Sequence, residues 1–74
     1  MSGIAGTATV PAGFRVLQIT ASAPASAAAT VTINGGQTVT VPPGKNLTIE
    51  PKGNVTAPVI LFAGTDAYFI ELVR

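Results

Sequence analysis

A chain of 74 residues with no Cys and no His holds no disulfide and none of the usual zinc sites, and it lacks the residues of Ser/His/Asp and Cys/His catalysis. Only 9% of its residues are charged, against about 25% in an ordinary soluble domain. The net charge of +1 comes from Arg15, Lys45, Lys52 and Arg74 against Glu50, Asp66 and Glu71, scattered with no basic stripe, so no nucleic-acid partner is expected.

A single small domain of this kind buries only about 60% of its unfolded surface. With disulfides and zinc excluded, shared burial is the remaining route to stability, and a homo-oligomer, most simply a trimer, is expected. The longest apolar stretch, residues 57–64, is too short to span a bilayer as a helix, so no membrane partner is expected. "MSGIAGTATVPAG" has neither a basic n-region nor a continuous apolar h-region, and the expectation is a chain made in a cytoplasm and kept at full length.

Helix signals are nearly absent from a sequence with six Pro, eight Gly, ten Thr and eight Val. Residues 1–13 read as an extended arm of small residues. Ile4, Val10 and Phe14 are its candidate anchors, spaced to order on a partner or a neighbouring subunit. Residues 14–74 then form a single β domain. "FRVLQITAS", 14–22, is the first clear strand, with Leu17, Ile19 and Ala21 on one face and Phe14, Val16, Gln18 and Thr20 on the other. "ASAPASAAAT", 21–30, carries Pro24 and no helical stripe and reads as a loop, a single helical turn at 26–29 being the alternative.

"TVTINGGQTVTV", 30–41, is a hairpin. A two-residue loop would scatter its apolar residues over both faces. A three-residue loop, Asn34-Gly35-Gly36, pairs Val31 with Val39 and Ile33 with Gln37, with Gly36 in the left-handed position of a G1 bulge. In "VPPGKNLTIEPKGNV" the pattern repeats: Pro43-Gly44 suits the centre of a type II turn, and Val39, Val41, Leu47 and Ile49 line one core face. Pro51-Lys52-Gly53-Asn54 is the next turn, and Val55 begins a return.

"APVILFAGTDAYFIELVR", 57–74, differs, because its strands are apolar on both sides. A two-residue turn at Gly64-Thr65 sets Leu61 opposite Tyr68 and Ile60 opposite Phe69. One face is then Val59, Leu61, Tyr68, Ile70 and Leu72, and the other Ile60, Phe62, Phe69, Glu71 and Val73. A small core uses one such face, so Ile60, Phe62 and Phe69 are candidate subunit-interface residues. The fold class expected is all-β: a small antiparallel sandwich or open barrel of about five to seven strands, built from short hairpins and preceded by the extended arm.

Chemical motifs are missing. Glu50, Asp66 and Glu71 make a carboxylate pair conceivable, but Glu50 and Asp66 sit beside turns where solvated acids are ordinary, and three dispersed acids do not supply a calcium cluster. No phosphate-binding glycine loop occurs, and no cofactor, metal or catalytic residue is implied; an enzyme is not expected. Asn46-Leu47-Thr48 and Asn54-Val55-Thr56 match the N-glycosylation triplet, by accident in so Thr-rich a chain. Tyr68 and Phe69 have the rings to stack on a sugar, although aromatics more commonly fill cores.

The short-residue arm, the hairpins "TVTINGGQTVTV" and "VPPGKNLTIE" and the apolar finish "APVILFAGTDAYFIELV" together resemble the small all-β decoration (cement) proteins of tailed bacteriophage heads. The resemblance covers the chain in character and brings no functional residue with it. It implies a homotrimer or similar oligomer on the outer capsid surface of a virion, bound to the major capsid protein and locking adjacent capsomers. The competing reading is a small β-rich module that binds glycan or a receptor.

Overall fold

The computed structural model describes residues 1–34, 36–51 and 59–74. They form eight strands and no helix: β1 (Ser2–Gly3), β2 (Gly6–Thr9), β3 (Arg15–Ser22), β4 (Ala29–Ile33), β5 (Gln37–Val41), β6 (Asn46–Ile49), β7 (Val59–Ala63) and β8 (Ala67–Val73). Two four-stranded antiparallel sheets, in the orders β1-β8-β3-β6 and β2-β7-β4-β5, pack as a sandwich. The all-β expectation holds.

The route of the chain through the sandwich differs from a string of hairpins. Among the described strands only β4 and β5 are sequential neighbours within one sheet; every other step along the chain changes sheet. The β4–β5 hairpin has the expected register, Val31 opposite Val39 and Ile33 opposite Gln37. Its left-handed residue among those described is Asn34, at φ 50°, and not Gly36, whose N–H donates to the Ile33 carbonyl at 3.0 Å. Asn tolerates this region better than most residues with a Cβ. Pro43-Gly44 forms the expected turn: Gly44 has φ 72°, and the Lys45 N–H donates to the Pro42 carbonyl at 3.1 Å. That turn carries the chain from β5 to β6 in the opposite sheet, so no hairpin results. Val41 is nonetheless buried, and Leu47 and Ile49 pack against the core; Val39, also expected on that face, is only half-buried and is not part of the core cluster. The loop between β3 and β4 is held against this turn, its Pro24 carbonyl accepting from the Gly44 N–H at 2.8 Å. The expected turn at 51–54 extends beyond the described residues, and the return at Val55 lies outside them.

Strand β3 shows why strict alternation misleads. Against β8, Val16 faces Leu72 and Gln18 faces Glu71, so Leu17 is an extra residue in a β-bulge. The bulge resets the parity of the strand. Val16, Ile19 and Ala21 all point inward and are buried, although Val16 and Ile19 stand on opposite sides of an unbroken alternation. The bulge thus gives β3 one core face in place of the two half-apolar faces read from its sequence.

The first 13 residues do not extend away from the domain. Ser2 and Gly3 pair with Phe69 and Tyr68, while residues 6–9 pair with 62–59 along β7. Ala8 and Val10 are buried core residues, and Phe14 packs against the core. Two of the three supposed arm anchors are therefore internal; Ile4 alone is open to solvent, at 70% exposure.

The last hairpin is also replaced. Strands β7 and β8 lie in different sheets, joined by a crossover at Gly64, which has φ 74°. A Cβ there would be strained by this φ and would approach the Ala28 carbonyl oxygen at 3.4 Å. Because the strands face each other across the core, each contributes its own inward residues: Ile60 and Phe62 from β7, and Ile70 with Tyr68 and Leu72 from β8. Ile60 and Phe62 are 0% and 1% exposed, so they close the core of the chain itself and offer no surface to another copy. Both apolar strand pairs are used in one core because a sandwich has two walls.

Phe62 is the largest fully buried side chain. Phe62→Ala is expected to cost about 3–5 kcal/mol, a large part of the stability of a domain this small, as measured by urea unfolding. Removal of residues 2–10 deletes two strands and buried Ala8 and Val10. It is expected to abolish the cooperative thermal transition followed by circular dichroism; a truncated chain that melts like the intact one contradicts the sheet assignment of these residues.

Candidate binding faces

A sandwich of two sheets leaves two outer faces, and strand register specifies which side chains occupy each. On the β2-β7-β4-β5 sheet, Leu61 of β7 lies opposite Thr7 of β2 and Thr32 of β4, and Thr32 lies opposite Thr38 of β5. The neighbouring positions are Thr9 opposite Val59 on one side, and Ala63 opposite Thr30, itself opposite Thr40, on the other. Six threonines thus surround an apolar strip on the central strand β7. Val59 is 39% and Leu61 45% exposed. No charged side chain is among these positions. Thr32 and Thr38 tie two strands together on the surface through their hydroxyls, 3.2 Å apart. The T-x-T runs at 7–9, 30–32 and 38–40 follow from alternation: β-branched residues with a hydroxyl suit a strand whose other face is buried.

The outer face of the β1-β8-β3-β6 sheet is organised around Phe69. Phe69 lies opposite Ser2 on β1 and Thr20 on β3, and Thr20 lies opposite Thr48 on β6. The next row holds Ala67, Ser22 and Asn46. Phe69 is 52% exposed, the most exposed aromatic ring of the described chain. Thr20, Ser22, Asn46, Ala67, Tyr68 and Phe69 line a shallow depression of about 180 Å³. Two of its hydroxyls are engaged: Thr20 Oγ1 lies 3.5 Å from Thr48 Oγ1, and the Ser22 hydroxyl donates to the Ala67 carbonyl at 3.3 Å. Of the three supposed interface residues, this face retains Phe69 alone.

Tyr68, the neighbour of Phe69, points the other way. Its ring stacks on Phe62 of the opposite sheet, with centroids 3.8 Å apart and planes 2° from parallel. Gly3 lies beneath its hydroxyl, where a Cβ would come within 2.6 Å of the oxygen. Close by in sequence, the buried Thr65 donates its hydroxyl to the Ile4 carbonyl at 3.3 Å and so fixes the β7–β8 crossover to the link between β1 and β2.

The charged side chains among the described residues are exposed. Arg74 lies over the Phe14 ring at 4.9 Å, and Arg15 donates to the Arg74 carbonyl at 3.5 Å. Glu71 is exposed beside Gln18 on the β8–β3 pair, which accounts for a charge within an apolar strand. Glu50 and Asp66 are exposed as well. Among the described residues no three acids, His or Cys gather in a group able to hold a metal ion. Among the described residues no helix is long and apolar enough to cross a membrane.

No protein-family model, curated protein or solved structure matches this chain.

Thr65→Val keeps the shape of the side chain and removes the bond to Ile4. It is expected to lower stability by about 0.5–1.5 kcal/mol in denaturant titration. Gly3→Val should be worse, since the Tyr68 ring has to leave its stack with Phe62; a near-ultraviolet circular dichroism spectrum unchanged from wild type would contradict this placement of Tyr68.

Proposed function

We propose that this chain is a capsid decoration protein of a virus, a structural virion component that docks on the major capsid protein as a homo-oligomer and stabilises the head. The observation that carries the reading is the outer face of the β2-β7-β4-β5 sheet: an apolar strip of Val59, Leu61 and Ala63 bordered by threonines, without a charge. Such a face suits broad contact with another protein by shape, apolar burial and neutral hydrogen bonds. The resemblance of the whole chain to phage cement proteins supplies the identity of that partner. Many copies binding only the assembled shell stabilise it by mass action, even where each contributes little.

The seven charges of the chain are few and dispersed, so attachment does not depend on electrostatic attraction. Purified protein should co-sediment stoichiometrically with expanded heads built from the major capsid protein of the same virus, and decorated heads should withstand more heat than bare ones. Leu61→Asp, on an exposed position, should weaken attachment by about tenfold or more while leaving the far-ultraviolet circular dichroism unchanged. Attachment should be nearly flat as salt rises from about 0.05 to 0.5 M. A steep loss with salt, or full attachment of the Leu61→Asp protein, overturns docking through this face.

A further inference from the structure

We infer that the depression around Phe69, on the sheet face opposite the proposed docking face, is a binding site for a neutral sugar ring, a hexopyranose unit of a larger glycan. The inference uses the outer face of the β1-β8-β3-β6 sheet alone, and stands or falls separately from attachment to a capsid.

Four observations meet at this place. First, the Phe69 ring is half exposed although β8 buries Ile70 fully beside it. An aromatic ring left open at the middle of a sheet face offers a flat apolar surface to a ligand, and the pyranose ring presents C–H groups to such a surface. Second, the depression holds about 180 Å³, the scale of one sugar ring and below that of a drug-sized pocket. Third, its polar groups both donate and accept. The Ser22 hydroxyl spends its proton on the Ala67 carbonyl and keeps lone pairs for a ligand. Thr20 and Thr48 share one hydroxyl bond, which leaves the pair one proton to donate. The Asn46 amide supplies a carbonyl and an amino group at the rim. Sugar hydroxyls are themselves donors and acceptors, and this mixture matches them. Fourth, none of the six lining residues is charged, so nothing in the lining selects for a phosphate, a sulfate or a carboxylate.

Rigidity favours the same reading. Thr20, Ser22, Ala67 and Phe69 stand on β3 and β8, the two inner strands of their sheet, and Asn46 on the neighbouring β6. Beneath them Ile19, Ala21 and Ile70 are buried. A site on paired central strands loses little conformational entropy when it binds a ligand, which matters where one ring contributes few contacts.

The test is a titration of the isotope-labelled full chain with a panel of neutral saccharides — methyl glucosides, galactosides and mannosides, with maltotriose, cellotriose and lactose — followed by amide chemical shifts. Sialyllactose is added beside lactose as an acidic probe. At least one neutral saccharide should shift the amides of Thr20, Ser22, Ala67 and Phe69, leaving Leu61 and Thr32 on the other face unmoved. Phe69→Ala should weaken that binding by about tenfold, Phe69→Trp should retain it, and Asn46→Ala should weaken it to a smaller degree. Sialic acid should add no affinity over lactose. Silence from the whole panel at tens of millimolar, or shifts unaffected by Phe69→Ala, overturns the inference. If light scattering instead shows an oligomer that Phe69→Ala dissociates, the ring is a contact between copies of this chain and the sugar site is likewise refuted.

Discussion

Phe62 and Tyr68 are separated by a single crossover in the sequence and belong to opposite sheets, yet their rings stack at 3.8 Å in the middle of the sandwich. That contact joins the two walls. It forms only if the chain turns sharply between them, which Gly64 permits at φ 74°. The Tyr68 hydroxyl then lies against Gly3, and Thr65 binds the Ile4 carbonyl, so the chain's first two strands are set by its last two. A larger residue at position 3 would force the Tyr68 ring to shift, since a Cβ there comes within 2.6 Å of its hydroxyl oxygen. This one aromatic stack therefore links β7, β8 and β1.

Alternation between sheets has a thermodynamic consequence. A hairpin can form from a few neighbouring residues, whereas β1 with β8, β2 with β7 and β3 with β8 each require distant segments to meet. Loop closure has to precede most of the stabilising contacts, so folding of this chain is non-local in spite of its length. In return, a core of mainly Ala, Val and Ile with one Phe is covered on both sides by short strands. Short edge strands also limit the backbone offered to chance pairing: β1 has two residues and β6 has four.

The two outer faces divide the surface chemistry between them. One is an apolar strip framed by threonine hydroxyls; the other is a hydroxyl and amide surface around one exposed ring. No charged side chain lies in the apolar strip or lines the Phe69 depression, although Glu71 stands two residues beyond Phe69 on the outward side of β8. A protein of this construction interacts by fit and by neutral hydrogen bonds, which are insensitive to ionic strength. The proposed capsid contact and the proposed sugar site occupy opposite walls, so one can be engaged while the other faces solvent.

Composition and alternation by themselves determined the all-β class, the β4–β5 register and the turn at Pro43-Gly44, because these depend on neighbours in sequence and on the φ preferences of Gly and Pro. Local pattern also marked Val39, Val41, Leu47 and Ile49 for one core face; Val41, Leu47 and Ile49 join the core from opposite sheets, and Val39 is half-buried outside the core cluster. Tertiary structure decided the rest. An unbroken alternation cannot reveal the bulge at Leu17, which shows only in the register of β3 against β8, where Val16 faces Leu72 and Gln18 faces Glu71. The residues at 1–13 are too small to announce strands, yet Ala8 and Val10 fit a thin core where larger side chains would not. Ile60 and Phe62 looked like a spare apolar face only under the assumption that β7 and β8 share a sheet. Whether adjacent strands pair edge to edge or face one another is written in no local signal: both arrangements bury apolar residues, and the Phe62–Tyr68 stack across the sheets, closed over by Gly3, is a contact among three strands that exists only once the whole chain is folded.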